Sequence, residues 1–292
     1  MSAAEGSPAD LASAVMGALG AIEAWDVPHA AAVVVDASGP VATRGETELV
    51  LPIASLSKPV TAAVVLLEAA AGTLRLDEPL GPTGPQGATV RHLLAHAGGL
   101  GFNAGERTME PGRRRIYSNW GFELLGELVA ARRGRPFAAV LEERLTGPLD
   151  MTSTTLDGSP AFAMRSSTRD LARFVTELVR PTVLDPATHE GLLTLAFPEL
   201  DGVLPGYGRQ RPNGFSLGLE VRGTKEPHWA GTRLSADTVG HFGRSGSLLW
   251  CDPRRGLGLA TLSGRDFDDW AVEGWPTLND AIIDAHDGPL TR

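Results

Sequence analysis

The sequence predicts an α+β fold: one antiparallel sheet assembled from both ends of the chain, flanked by terminal helices, with an all-helical lobe inserted between them. Three observations predict it. Apolar and β-branched runs lie near the start (29–44) and again near the end (215–262). The stretch between them reads as short helices separated by Gly and Pro loops. Helical spacing of apolar residues marks both termini. Strands at the two ends with helices between imply a sheet closed by the termini, so residues 1–292 are read as a single domain. Its α/β lobe covers about 1–75 and 206–292, and its helical lobe about 76–205.

Taken in order, residues 9–24 carry Val15, Met16, Leu19 and Ile22 at helical spacing. His29 to Val35 and Val41 to Arg44 form a hairpin around Asp36-Ala37-Ser38-Gly39. Leu49 to Ile53 leads into Ala54-Ser55-Leu56-Ser57-Lys58-Pro59 and a long apolar run that ends at Gly72. Proline is tolerated only in the first turn of a helix, so Pro59 puts Ser55 at or just before the N-terminus. In the middle region Thr89 caps a helix to His96, Asn119 to Arg133 forms another that stops at Gly134, and Pro136 opens a third. Ser167 or Thr168 opens a fourth, ending before Pro181. Strands return at Phe215 to Val221, Val239 to Phe242, Leu248 to Cys251 and Leu257 to Leu262, followed by a helix from Asp268 to Ala285 broken at Pro276.

Hydrophobic content of 42% and charged content of 21% are those of an ordinary globular protein. A net charge of -9 argues against a nucleic-acid partner, which needs a concentrated basic surface. The single Cys251 excludes an internal disulfide and a cysteine-based metal cluster; it reads as a buried strand residue. No Lys or Arg precedes Arg44, and no apolar run approaches the roughly 18 residues of a membrane span, so the chain reads as cytoplasmic with no membrane contact.

The chemistry starts from two lysines. Lys58 and Lys225 are the only lysines among 26 basic residues, so lysine at the fourth place of Ser55-x-x-Lys58 is a pointed choice. Three residues apart at a helix start, the two side chains share a face. A lysine that loses its proton can then act as base toward the serine hydroxyl, a part arginine cannot take. Ser57 lies about 200° around the helix from Ser55 and reads as structural. Tyr117-Ser118-Asn119 precedes a helix, and a phenol near two cations ionises below its usual value of about 10 and serves as a base. Asn119 offers an amide to bind a substrate carbonyl or to position Lys58. Read alone, Tyr117 also fits a half-buried loop residue ahead of a capped helix. His241-Phe242-Gly243 lies on a late strand, where Gly243 lets a substrate approach the backbone and the Arg244 N–H joins that of Ser55 as an oxyanion hole. Read alone, His241 also fits a satisfied core histidine.

Together, Ser-x-x-Lys, Tyr-Ser-Asn and His-x-Gly in this order resemble the serine β-lactamase and penicillin-binding protein superfamily. They are most similar to its branch of class C β-lactamases, D-Ala-D-Ala carboxypeptidases and family VIII carboxylesterases. The resemblance extends over Thr89 to Leu100, over Pro148-Leu149-Asp150-Met151 with Asp150 in place of glycine, over Ser167 to Phe174, and over His241 to Pro253. It implies a β-lactamase/transpeptidase-like fold. It implies Ser55 as the acylated nucleophile, Lys58 and Tyr117 as the proton-transferring pair, Asn119 as a substrate-orienting residue, and no metal or organic cofactor. The departure is His241, where the lactamases and carboxypeptidases carry a lysine facing a substrate carboxylate. Histidine there looks more like the esterase-leaning members, with Arg244 or the Arg113-Arg114-Arg115 run in the place of the missing cation. The expected activity is therefore a serine hydrolase acting on a small-molecule ester or amide: a carboxylesterase with slight β-lactam turnover. The alternatives are a β-lactamase or D,D-peptidase, an acyltransferase, or a non-catalytic binding protein. Walls of the substrate pocket are expected from loops at 101–115 and 201–213.

Overall fold

The computed structural model describes residues 8–80, 84–106 and 109–287. Eight α-helices run in chain order among the described residues: α1 (Pro8–Ala18), α2 (Ser57–Ala70), α3 (Val90–Leu94), α4 (Asn119–Arg133), α5 (Phe137–Leu141), α6 (Thr168–Val179), α7 (Pro186–Leu193) and α8 (Asp269–Asp287). The strands are β1 (Ala31–Asp36), β2 (Gly39–Arg44), β3 (Leu51–Pro52), β4 (Thr155–Leu156), β5 (Met164–Ser166), β6 (Gly202–Leu204), β7 (Gly208–Gln210), β8 (Glu220–Val221), β9 (Val239–Gly243), β10 (Ser247–Asp252) and β11 (Leu257–Leu262).

The six-stranded sheet has the order β2-β1-β11-β10-β9-β8, with every neighbouring pair antiparallel. The N-terminal hairpin meets the C-terminal meander at β1 and β11, where Val33 faces Ala260. Both sheet faces are buried, which explains why these strands read as unbroken apolar runs. Alternation sorts their side chains. Val33, Val35, Leu249 and Cys251 pack with α2 and α6 in one core, whereas Ala32, Val34, Leu248 and Trp250 pack with α1 and α8 in another. Cys251 is fully buried as a strand residue, and burial pushes its thiol up to about 12.

Local chemistry accounts for the helix boundaries. Thr89, Ser118 and Ser167 cap α3, α4 and α6 by accepting from backbone N–H groups of His92, Gly121 and Asp170. Gly134 closes α4 in the left-handed conformation at φ 63°. Asp150, in the place of the expected glycine, sits at φ 54°, a conformation that aspartate tolerates better than most residues.

Two expectations are corrected. Helix α8 runs through Pro276 without ending, because Ala271, Trp275, Leu278, Ile282 and Ile283 hold its apolar face in the core, and that packing outweighs one lost hydrogen bond. The expected strand from Phe215 to Val221 shrinks to β8. Gly218, at φ 119°, lets the run fold back so that Ser216 N–H donates to the Leu219 carbonyl and Phe215 bridges to Glu220.

Candidate active site

Ser55 sits in a 3₁₀ turn, Ala54–Leu56, that feeds directly into α2. Ala54 before it has φ 44°, an uncommon conformation for a residue with a side chain and one that recurs at functional sites. The turn is held from two sides. Ser57 Oγ donates to the Ala54 carbonyl at 2.7 Å and accepts from Met164 N–H at 3.1 Å, which ties the turn to β5 and confirms Ser57 as structural. Ser247 Oγ, on β10, donates to the Ile53 carbonyl at 2.9 Å.

Gly243 belongs to the same clamp. A Cβ there would lie 2.4 Å from the Ile53 carbonyl oxygen and 3.2 Å from the Ser55 nitrogen. Its missing side chain therefore makes room for the Ser55 turn rather than for a substrate, which corrects the sequence expectation. This close approach brings the end of β9, and Arg244 after it, beside Ser55.

Lys58 is fully buried, and its ammonium has three acceptors: Ser55 Oγ at 3.1 Å, Asn119 Oδ1 at 2.7 Å and the Ala161 carbonyl at 3.0 Å. Those acceptors are a hydroxyl, an amide and a carbonyl, with no carboxylate among them. Burial lowers the Lys58 pKa to about 7, against a smaller opposing pull from Glu123. Near neutrality a large share of Lys58 is thus the free amine, with a lone pair to turn toward the Ser55 hydroxyl. Asn119, the first residue of α4, accepts from Lys58 through Oδ1 and so holds its ammonium in place.

The Tyr117 ring stands 4.7 Å from Lys58 Nζ, and its hydroxyl lies 3.4 Å from His241 Nε2. His241 Nδ1 lies 2.8 Å from the Phe242 carbonyl. A carbonyl only accepts, so Nδ1 carries the proton and Nε2 presents a lone pair to Tyr117. Burial, with Lys58 second, lowers His241 to about 4, so this neutral tautomer persists at neutral pH. Burial also raises Tyr117 well above its ordinary value, with a hydrogen bond to Ser55 opposing. The expectation of a phenol ionised below its usual value is corrected: burial outweighs the neighbouring Lys58 and the Ser55 hydrogen bond, and His241 beside it is neutral.

The arginine run is corrected as well. Arg115 is buried and donates to the carbonyls of Asn213, Ala95, Ala196 and Phe197, locking loops together. Arg113 pairs with Glu110 at the surface. Only Arg244 of those candidates reaches the cavity, with its side chain 86% exposed and 3.5 Å from Asp266. Among the described residues no group of three or more His, Cys, Asp or Glu is arranged to hold a metal ion.

Several neighbours escaped the sequence reading. His96, at φ 55°, accepts from Ser118 N–H through Nδ1 at 3.1 Å and from Ile116 N–H through its carbonyl at 2.9 Å. Its ring lies 4.5 Å from that of Tyr117, so one histidine grips both flanks and a face of the tyrosine. The cavity beside Ser55 is walled by Phe102 and Leu204 to Gly206, inside the loops foreseen, and by Phe215, Glu220, Phe242 and Phe267, outside them. A lone acid within the apolar run Phe215 to Val221 was the available signal for Glu220.

The beta-lactamase family model matches residues 21–281. The chain belongs to that family. It is a serine hydrolase of the β-lactamase/transpeptidase fold. A crystal structure of a beta-lactamase from Mycobacterium bovis is 44% identical, with a TM-score of 0.89, covering 92% of this chain and 99% of that one. EstCE1, a hydrolase with promiscuous acyltransferase activity, shares the fold at TM-score 0.77 and 16% identity, covering 94% of this chain and 99% of that one. The D-alanyl-D-alanine-carboxypeptidase/endopeptidase AmpH of Escherichia coli strain K12 is 27% identical over 151 residues, 40% of this chain and 39% of AmpH. The match thus spans well under half of that relative. No described helix is long and apolar enough to cross a membrane.

Proposed function

We propose that this hydrolase forms an acyl-enzyme on Ser55 and cleaves small carboxylic esters. The observation that carries the reading is the buried Lys58 amine, hydrogen-bonded to Ser55, unpaired with any acid and titrating at about 7. Neutral Lys58 takes the Ser55 proton as Oγ attacks the ester carbonyl. The backbone N–H groups of Ser55 and Arg244 receive the oxyanion. Tyr117, hydrogen-bonded to His241, gives its proton to the departing alcohol oxygen and becomes a phenolate next to the protonated Lys58. That phenolate draws a proton from the incoming water. As the second tetrahedral intermediate collapses, Lys58 returns its proton to Ser55 Oγ. The phenolate is thus made by the reaction, and a Tyr117 protonated at rest is the starting state this cycle needs.

A second reading, β-lactam hydrolysis, is favoured by the 44% identity to the M. bovis protein described as a beta-lactamase. Neutral His241 opposes it, since it supplies no cation for the substrate carboxylate. Mass spectrometry and turnover with 4-nitrophenyl acetate and a cephalosporin, with Ser55→Ala as control, separate the two. The ester reading predicts Ser55-dependent ester turnover and slow or no cephalosporin cleavage. Rapid cephalosporin turnover with little ester cleavage reverses it, and the absence of any Ser55 adduct or turnover removes both.

A further inference from the structure

The cavity beside Ser55 has a volume of about 280 Å³. About 150 Å³ of apolar cavity suffices for a benzene ring, so this one takes an aryl group with a few linking atoms. Its walls are built and held in place. Phe242 and Phe267 lie 5.0 Å apart, and both pack on the buried Trp275, at 5.6 and 5.4 Å. The Leu204–Gly206 turn closes over Phe267; a Cβ on Gly206, at φ 79°, would stand 2.6 Å from that ring. Phe102 and Phe215 complete the lining.

Among the described residues, two charged side chains line this cavity, the buried Glu220 and the exposed Arg244. Glu220 is buried at its wall and accepts from Lys225 Nζ at 2.9 Å, His228 Nε2 at 2.9 Å and Trp229 Nε1 at 2.8 Å. Lys225 does not line the cavity; it also donates to the Gly214 carbonyl at 2.8 Å. Of the two partners of this ion pair, the acid is thus the one at the cavity wall. No buried cation on that lining offsets it. Lys58 spends its donors on three protein acceptors, and water screens the charge of the exposed Arg244 side chain. A carboxylate placed here would be desolvated without a partner.

We infer that the cavity selects uncharged substrates carrying one apolar, aryl-sized group and turns away those with a free carboxylate on that group, with Glu220 setting the charge preference. This rests on acylation at Ser55 as proposed above. It makes Glu220 a specificity-determining residue, and the phenylalanine box the recognition element for the substrate.

The test uses two pairs of esters with a common leaving group. The charge pair is 4-nitrophenyl 4-carbamoylbenzoate and 4-nitrophenyl 4-carboxybenzoate, nearly equal in shape and different in charge. The size pair is 4-nitrophenyl phenylacetate and 4-nitrophenyl acetate. In the wild type, kcat/KM for the carbamoyl ester exceeds that for the carboxy ester by at least about tenfold, as a like charge within a few ångströms requires. Glu220→Gln narrows that ratio, and Arg244→Ala leaves it unchanged. Phe102→Ala, at the half-exposed mouth, lowers kcat/KM for the phenylacetate more than for the acetate, and does so without disturbing the Glu220 cluster. Equal or better cleavage of the carboxy ester by the wild type overturns the inference, as does a selective loss of that ester in Arg244→Ala. If acetate turnover depends on Ser55 while the charge ratio is near one, only this inference falls. If no ester turnover depends on Ser55, the acyl-enzyme reading falls with it.

Discussion

Lys58 and Lys225 are the chain's only lysines, and both side chains are shut away from solvent. Their surroundings differ in one respect. Lys58 meets a serine, an amide and a carbonyl, while Lys225 meets the Glu220 carboxylate. Burial lowers both amines, but at Lys225 the carboxylate pulls the other way. Burial pushes Glu220 up in turn, yet Lys225 and His228 hold it well below the usual carboxylate range. The pair thus stays charged as a structural strut behind the substrate cavity. Without an acid in contact, Lys58 titrates near neutrality and becomes available as a base. Both lysines are buried; the absence of an acidic partner is what sets Lys58 apart.

The largest expected effect breaks the comparison on the catalytic side. Lys58→Arg keeps the charge but cannot release a proton, so kcat falls by about 10²–10⁴-fold in steady-state ester kinetics. A loss under fivefold would exclude Lys58 as the base. On the structural side, Lys225→Met leaves Glu220 buried and unpaired, and costs about 3–5 kcal/mol in urea unfolding. A cost below about 1 kcal/mol would mean that Glu220 does not need its partner.

The pH dependence of Lys58 sharpens the contrast. Activity needs neutral Lys58, so kcat/KM falls as pH drops through about 7. Stability follows the same group. Between its folded pKa of about 7 and its ordinary 10.5, the unfolded chain binds more protons at Lys58 than the folded one, so stability rises with pH across that window. From pH 7 to pH 10 the unfolding free energy of the wild type should rise by roughly 3–4 kcal/mol more than that of Lys58→Met. Equal rises would place the lysine proton elsewhere. The smallest effect comes from Glu123→Gln. Glu123 raises Lys58, so its neutralisation moves the acid limb of activity to lower pH by less than about one unit.

Much of the site was legible because its signals are local. Pro59 dated the start of α2, and the Ser55-x-x-Lys58 spacing put both side chains on one face, as their 3.1 Å contact bears out. The caps at Thr89 and Ser167 and the stop at Gly134 followed from backbone chemistry within a turn. The misreadings at the site concern long-range neighbours. Arg115 beside Tyr117 looked like a substrate cation, yet its donors close onto carbonyls some 20 to 98 residues away. Gly243 looked like room for a ligand and is room for the Ser55 turn.

By itself, then, the sequence determined which residues are candidates for the chemistry and the order of elements that brings them together, since periodicity, caps and motif spacing act within a few residues. The tertiary structure decided protonation and selectivity. Whether Lys58 is an amine, whether Tyr117 starts with its proton, and what charge the substrate cavity meets all depend on desolvation and on partners from distant strands. Those are properties of where the chain folds together, and no local stretch of it carries them.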